Sequence, residues 1–184
     1  MKHVSEPLKR FIAALPAPRP PRPVTEEGRL EWKREEERLR ARDECLALGN
    51  RGIPIAFWHA RIEDLPFPVP SKPENLYLYG APGRGKSHAA AALAIAWRAR
   101  WVTTFRLLIR LKSSFQGRGE HEAEILKELS SPSVLVLDDL WAAQKTDFVL
   151  QWILGLLNAR MEELHPTIIT CDRSPAEIRK LDTS

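Results

Sequence analysis

The chain has too little cysteine for a disulfide framework or a zinc module. Cys45 and Cys171 are the only two in 184 residues, and they lie far apart in unlike surroundings. That usage fits a reducing cytoplasm, which is the expected location. No uninterrupted apolar run is long enough to cross a bilayer, so no membrane partner is expected. The first residues, Met1-Lys2-His3-Val4-Ser5-Glu6-Pro7, carry none of the apolar stretch that a secretory leader needs. The histidines (His3, His59, His88, His121 and His165) show no metal-ligand spacing. The excess of base over acid is small, +4 with a pI near 9.3, which is compatible with a nucleic-acid partner without demonstrating one. What is present is an ordinary hydrophobic content of 43%, enough for one cored domain plus an arm.

Three regions follow from the pattern. Residues 1–27 form an arm: Leu8 to Leu15 suits a short helix, but Pro16-Ala17-Pro18-Arg19-Pro20-Pro21-Arg22-Pro23 forces an extended spacer. Residues 28–50 read as a charged helix with acid and base at helical spacings, such as Glu36 with Arg40, and one thin apolar stripe of Leu30, Trp32, Leu39, Leu46 and Leu48. It is a solvated helix or a partner-binding segment. Residues 51–184 form the core domain. There, after a proline-punctuated loop from Leu65 to Pro73, strand and helix signals alternate. Strands are expected at Leu76–Tyr79, Trp101–Phe105, Val134–Asp138 and Thr167–Cys171. Helices are expected over Ser87–Arg100, Arg106–Phe115, Gly119–Leu129 and Thr146–Leu164. The last of these places Phe148, Val149, Trp152, Ile153, Leu156, Leu157, Met161 and Leu164 on one face. Ser174-Pro175-Ala176-Glu177 is a capping box that starts another helix. The alternation predicts an α/β fold with a parallel sheet.

Gly80-Ala81-Pro82-Gly83-Arg84-Gly85-Lys86-Ser87 satisfies every fixed position of the G-x-x-x-x-G-K-[ST] phosphate loop, between a strand and a helix start. Glycines let the backbone bend around phosphates, and a helix N-terminus presents its N–H groups to them. Lys86 would reach the β- and γ-phosphates of ATP, and the Ser87 hydroxyl would sit on Mg²⁺. Asp138 and Asp139 end the third strand. In such ATPases an acidic residue there holds Mg²⁺, and a neighbouring carboxylate can orient and deprotonate water. Asp138 is therefore the candidate metal residue and Asp139 the candidate base. Thr170-Cys171-Asp172 ends the next strand. Asp172 either touches the γ-phosphate and the water or simply caps a turn. Arg106, Arg110, Lys112 and Arg118, with Phe115 among them, are either a solvated helix face or a track for a single-stranded backbone.

Gly80 to Ser87 with His88, then Leu135-Val136-Leu137-Asp138-Asp139-Leu140, Leu157-Asn158-Ala159-Arg160 and Pro166-Thr167-Ile168-Ile169-Thr170, in that order, resemble AAA+ ATPases. Within that class the resemblance is to bacterial replicative helicase loaders of the DnaC/DnaI type and to IstB-like transposition ATPases. It implies ATP and Mg²⁺ as ligands and hydrolysis of ATP to ADP and phosphate. It also implies a sheet of order 5-1-4-3-2, of which strands 1-4-3-2 fall within this chain. Gly52-Ile53-Pro54 looks like the lead-in on which that family packs adenine. The helices carrying Arg106, Arg110, Lys112 and Arg118 stand where the family grips single-stranded DNA. The N-terminal region stands where the loaders engage the hexameric helicase, and self-association is a further expectation.

Two departures qualify the resemblance. Asp172 stands where the family has an asparagine, which adds negative charge near the γ-phosphate. A fifth strand, an arginine finger and a helical lid are not found between Ser174 and Ser184. Hydrolysis by this stretch alone is therefore expected to be weak, and Leu76–Tyr79 is expected as an open sheet edge. The competing readings are an IstB-like transposition helper, a nucleotide-dependent binding module with little hydrolysis, and a small-molecule kinase. The last is disfavoured by the paired acids.

Overall fold

A parallel sheet covered on both faces needs helices that can lie close to it, and the alanine run after the phosphate loop supplies one. The computed structural model describes residues 25–117, 119–140 and 147–181. Along the chain come α1 (Glu26–Asn50), two single-turn 3-10 helices (Ile55–Phe57 and Ile62–Asp64), β1 (Leu76–Tyr79), α2 (Lys86–Ala96) and β2 (Arg100–Thr103). Then follow α3 (Thr104–Phe115), α4 (Glu122–Ser130), β3 (Leu135–Asp138), α5 (Asp147–Glu162), β4 (Thr167–Cys171) and α6 (Pro175–Leu181). The proline-rich part of the arm, Arg118, Trp141 and Thr146 lie outside the described residues.

The four strands make one all-parallel sheet of order β1-β4-β3-β2, the α/β arrangement expected. On one face α2 buries Ala90, Ala91, Ala92, Leu93 and Ala94 against Val136, Ile168 and Trp101. On the other, Leu107 and Leu111 of α3, Ile125 and Leu129 of α4, and Trp152, Ile153 and Leu156 of α5 pack on Val102, Leu135 and Leu137. Every residue of β3 is buried, as a central parallel strand requires. β2 ends earlier than its apolar pattern suggests, because the Thr103 hydroxyl accepts the Arg106 N–H at 3.3 Å and caps α3 directly. Beside β2, Gly52 (φ +82°) lies so close that a Cβ there would stand 2.5 Å from the Trp101 carbonyl oxygen, so this approach needs glycine.

The buried face of α5 is shorter than its sequence pattern. Phe148 and Met161 are exposed, and Leu164 lies beyond the helix end. β1 and β2 are the edges of the sheet among the described residues; β1 has β4 as its strand partner, and the last turn of α5 faces it. Met161 and Leu157 line a shallow groove there with Leu76, Tyr77 and Ile169.

The chain divides into two compact units, up to Asp43 and from Glu44 onward. In the first, α1 is solvated almost throughout, with Leu30 and Leu39 about half exposed and an Arg40–Glu36 pair at 2.8 Å. In the second, Leu48 is the member of the expected stripe that is buried.

Arg160 of α5 is wholly buried without a carboxylate partner among the described residues. Its Nε donates to Thr167 Oγ1 at 2.9 Å. Its Nη1 donates to the carbonyls of Leu129, Ser130 and Pro132 at 2.9, 3.1 and 2.8 Å, and its Nη2 to that of Pro166 at 2.7 Å. Burial pushes the guanidinium down to about 10, which leaves it charged at neutral pH. This one side chain ties the end of α4 to the starts of β3 and β4. Arg160→Met should cost about 3–5 kcal/mol by stranding those carbonyls. Urea unfolding checks it: a lower midpoint at constant slope is expected, and a loss below about 1 kcal/mol would show the clamp to be dispensable.

Candidate functional site

The loop from Gly80 to Ser87 leaves the C-terminal end of β1 and enters α2 without a side-chain cap. Gly85 occupies the cap position at φ +80°, a left-handed conformation that glycine adopts without strain. Open space lies on the Cβ side of Gly80, Gly83 and Gly85, with no atom within 4 Å. Ala81, Pro82, Gly83, Arg84 and Gly85 are exposed around that opening. Lys86 folds back over it. Its Nζ donates to the carbonyls of Gly80 at 2.8 Å and Ala81 at 3.1 Å, and pairs with Asp172 Oδ1 at 2.7 Å.

Three elements meet at Asp138. Its Oδ1 accepts from the Ser87 hydroxyl at 2.8 Å and from the Thr170 hydroxyl at 2.7 Å. The Asp139 backbone N–H in turn donates to Thr170 Oγ1 at 2.7 Å. Asp139 takes φ +58°, which turns it out of the strand direction. Its carboxyl is held above the usual carboxylate range, chiefly by burial, then by Asp172 and Asp138, with Lys86 acting against them. Ser87, Asp138, Asp139, Lys86 and Asp172 thus converge, although the sequence spreads them over 87 positions. Thr170 is the member whose role the sequence did not expose. Its hydroxyl both donates to Asp138 and accepts from Asp139.

The donor set suits a magnesium-bound nucleoside triphosphate. Open space at the loop glycines admits a phosphate chain, and a helix N-terminus with one lysine offers donors for it. Asp138 Oδ2 carries no hydrogen bond among the described residues, so one hard oxygen remains for a cation beside the Ser87 hydroxyl. Among the described residues, no cluster of three or more acidic, histidine or cysteine side chains could hold a metal unaided. A magnesium ion here would therefore draw its other ligands from phosphate and water.

A cleft of about 420 Å³ adjoins the loop, lined in part by Leu65, Pro66, Phe67, Tyr79, His88 and Lys86. His88 also lies edge-on to Phe57, with ring centroids 6.3 Å apart, and near His59 at 5.6 Å. Gly52 and Ile53 do not line this cleft; Ile53 is buried in the core beneath α2. The residues from Leu65 to Phe67 escaped sequence reading, because proline punctuation marks a loop but not its course.

The basic residues after β2 do not form one strip. Arg106 and Arg110 lie one turn apart on α3, whereas Lys112 projects from another face. Arg106 and Lys112 are exposed. The Arg110 guanidinium is bonded to both Glu120 and Glu128, and Glu128 also takes Arg100 at 2.7 Å. Burial draws Arg110 down, but the two glutamates outweigh it and hold the guanidinium up. Arg118 lies outside the described residues. No helix among the described residues is long and apolar enough to cross a membrane.

Comparison with known proteins gives consistent results. Individual relatives are the replicative helicase loader DnaC of Escherichia coli K12, 26% identical over 107 residues, or 55% of this chain and 44% of that protein; and the loader DnaI of Bacillus subtilis, 31% over 114 residues, or 59% and 36%. An insertion-sequence ATP-binding protein of Sinorhizobium fredii is 34% identical over 98 residues, or 50% and 32%. The chain therefore spans less than half the length of these relatives. Among solved structures, the DnaC helicase loader superposes with a TM-score of 0.54 at 24% identity, over 71% of this chain and 87% of that one. AMPPCP-bound DnaA from Aquifex aeolicus also gives 0.54, at 15% identity, over 68% and 44%. These likenesses establish the P-loop AAA+ fold. The model of the IstB-like ATP binding protein family matches residues 68–180. That span runs from the proline-punctuated loop into α6 and takes in Lys86, Ser87, Asp138, Asp139, Thr170 and Asp172, so the chain belongs to the IstB-like ATP-binding proteins.

Proposed function

We propose that this chain is the ATP-hydrolysing core of a factor that loads or regulates a replicative helicase on single-stranded DNA. The observation that carries the ATPase reading is the bonded chain from Ser87 through Asp138 to Thr170, set beneath an open glycine loop. In this reading Lys86 and the N–H groups at the start of α2 bind the phosphates. Ser87 and Asp138 would hold Mg²⁺, whose charge would offset that of the phosphates. Asp139, beside Asp138 at the end of β3, accepts the proton of the attacking water. Thr170 holds the Asp138 carboxylate and the Asp139 backbone in fixed relation by bonding to both.

The helicase assignment is supported by likeness to the loaders DnaC and DnaI. A second reading, a transposition helper, is supported by the family match and by the Sinorhizobium fredii insertion-sequence protein. Co-purification with replicative helicase against transposase separates them. In either case α1, with its solvated charged surface, is assigned as the partner-binding segment. Single-stranded DNA is assigned to Arg106 and Lys112, the exposed cations of α3, and Arg110 is given a structural role in its glutamate network.

Lys86→Ala should weaken binding of a fluorescent ATP analogue about 10–100-fold; unchanged affinity would remove the loop from nucleotide binding. Asp139→Asn should keep that affinity within about twofold and lower the hydrolysis rate about 10²–10⁴-fold. Hydrolysis that survives the change would exclude Asp139 as the base. Arg106→Ala with Lys112→Ala should weaken single-stranded DNA binding and flatten its salt dependence by about 0.7 for each phosphate left without its cation. Arg110→Ala should act mainly through stability. A salt titration that ranks Arg110 first would reverse the assignment.

A further inference from the structure

An ammonium group has three N–H donors and no more. All three on Lys86 are used: on Gly80 O at 2.8 Å, on Ala81 O at 3.1 Å and on Asp172 Oδ1 at 2.7 Å. The two carbonyls belong to the loop that carries the lysine. Asp172 is different in kind, a full negative charge brought across from the end of β4. The backbone there is held, because Tyr79 pairs with Cys171 in the sheet and the Gly80 N–H donates to the Cys171 carbonyl at 3.3 Å. The Lys86 side chain is 13% exposed, so this contact sits well inside the site; Asp172, at 43%, closes it from the solvent side. Asp138 and Asp139 border the same space, and Asp172 is the stronger of the two carboxylates acting on Asp139. Three carboxylates therefore converge beside one lysine.

We propose that Asp172 makes this site select a nucleoside diphosphate over the triphosphate. It sets a full negative charge against the lysine, beside the space that a third phosphoryl group would enter. Both nucleotides bring a β-phosphate within reach of Lys86 and the loop N–H groups. A triphosphate adds a further charged phosphoryl group, which has to approach the carboxylate held on that lysine. This deepens the ATP-binding reading and rests on it: Asp172 is a specificity-determining residue of that site, and the resting state is the diphosphate state.

The test is titration of the whole chain with fluorescent ADP and ATP analogues, each with Mg²⁺, for the wild type, Asp172→Asn, Asp172→Ser and Asp172→Glu. The wild type is expected to bind ADP at least about tenfold more tightly than ATP. Asp172→Asn and Asp172→Ser should each raise ATP affinity about tenfold and leave ADP within about twofold. Asp172→Glu, which keeps the charge, should keep the preference. Thermal unfolding within a few degrees of wild type confirms that the variants are folded, and using both Asn and Ser guards against failure of either one. Equal affinity for both nucleotides, unmoved by Asp172→Asn, overturns the selection and leaves the nucleotide site standing. Binding of neither nucleotide by the wild type overturns both.

Discussion

The carboxylate of Asp138 is the point on which this molecule turns. One oxygen accepts hydroxyl protons from Ser87 at the start of α2 and from Thr170 near the end of β4, and the residue itself ends β3. Three elements that are remote in sequence are thus brought to one atom. A buried carboxylate must be hydrogen-bonded to be tolerated, and here that requirement also fixes the position of the phosphate loop over the sheet. Stability and chemistry share the same bonds, because the hydroxyl that satisfies Asp138 from the loop side is the one assigned to the magnesium ion.

The opposite end of the same strands is governed by a different charge. Arg160 satisfies five acceptors with one guanidinium, four of them carbonyls at the end of α4 and at the starts of β3 and β4. Between the two polar clusters lie only apolar side chains, with α2 on one face and α3 to α5 on the other. The sheet is thus an apolar slab with a polar lock at each edge.

Much of this is legible in the amino-acid sequence. The limits of β1 and β4 follow from short apolar runs closed by polar turns, and the loop from its glycine, lysine and serine spacing. Asp138 and Asp139 stand out because two acids that follow four apolar residues have little reason to be there unless something binds them. What stays hidden depends on contacts between distant positions. Arg160 stands out only as the end of the Leu157-Asn158-Ala159-Arg160 segment; that its acceptors are mostly main-chain carbonyls leaves no trace in side-chain identity. Arg110 reads as a free cation, until Glu120 and Glu128, 10 and 18 residues on, fold back against it. The pairing of Lys86 with Asp172 is similarly invisible. Periodicity overreaches at Met161 and Leu164, since it reports which residues share a face and not how far the neighbouring sheet extends to cover it.

The double anchoring of β3 and β4 limits how this domain can respond to its ligand. Two strands locked at both ends cannot slide past one another, so shear between them is closed off as a way of carrying a signal. Lys86 and Ser87 tie the loop to Asp172 and to Asp138, so a displacement of the loop would reach those two contacts first. β1 and β2, each with one strand partner among the described residues, are the two edges of the sheet. The central pair of strands is therefore the fixed frame of the domain, and what freedom the sheet keeps lies at its two edges.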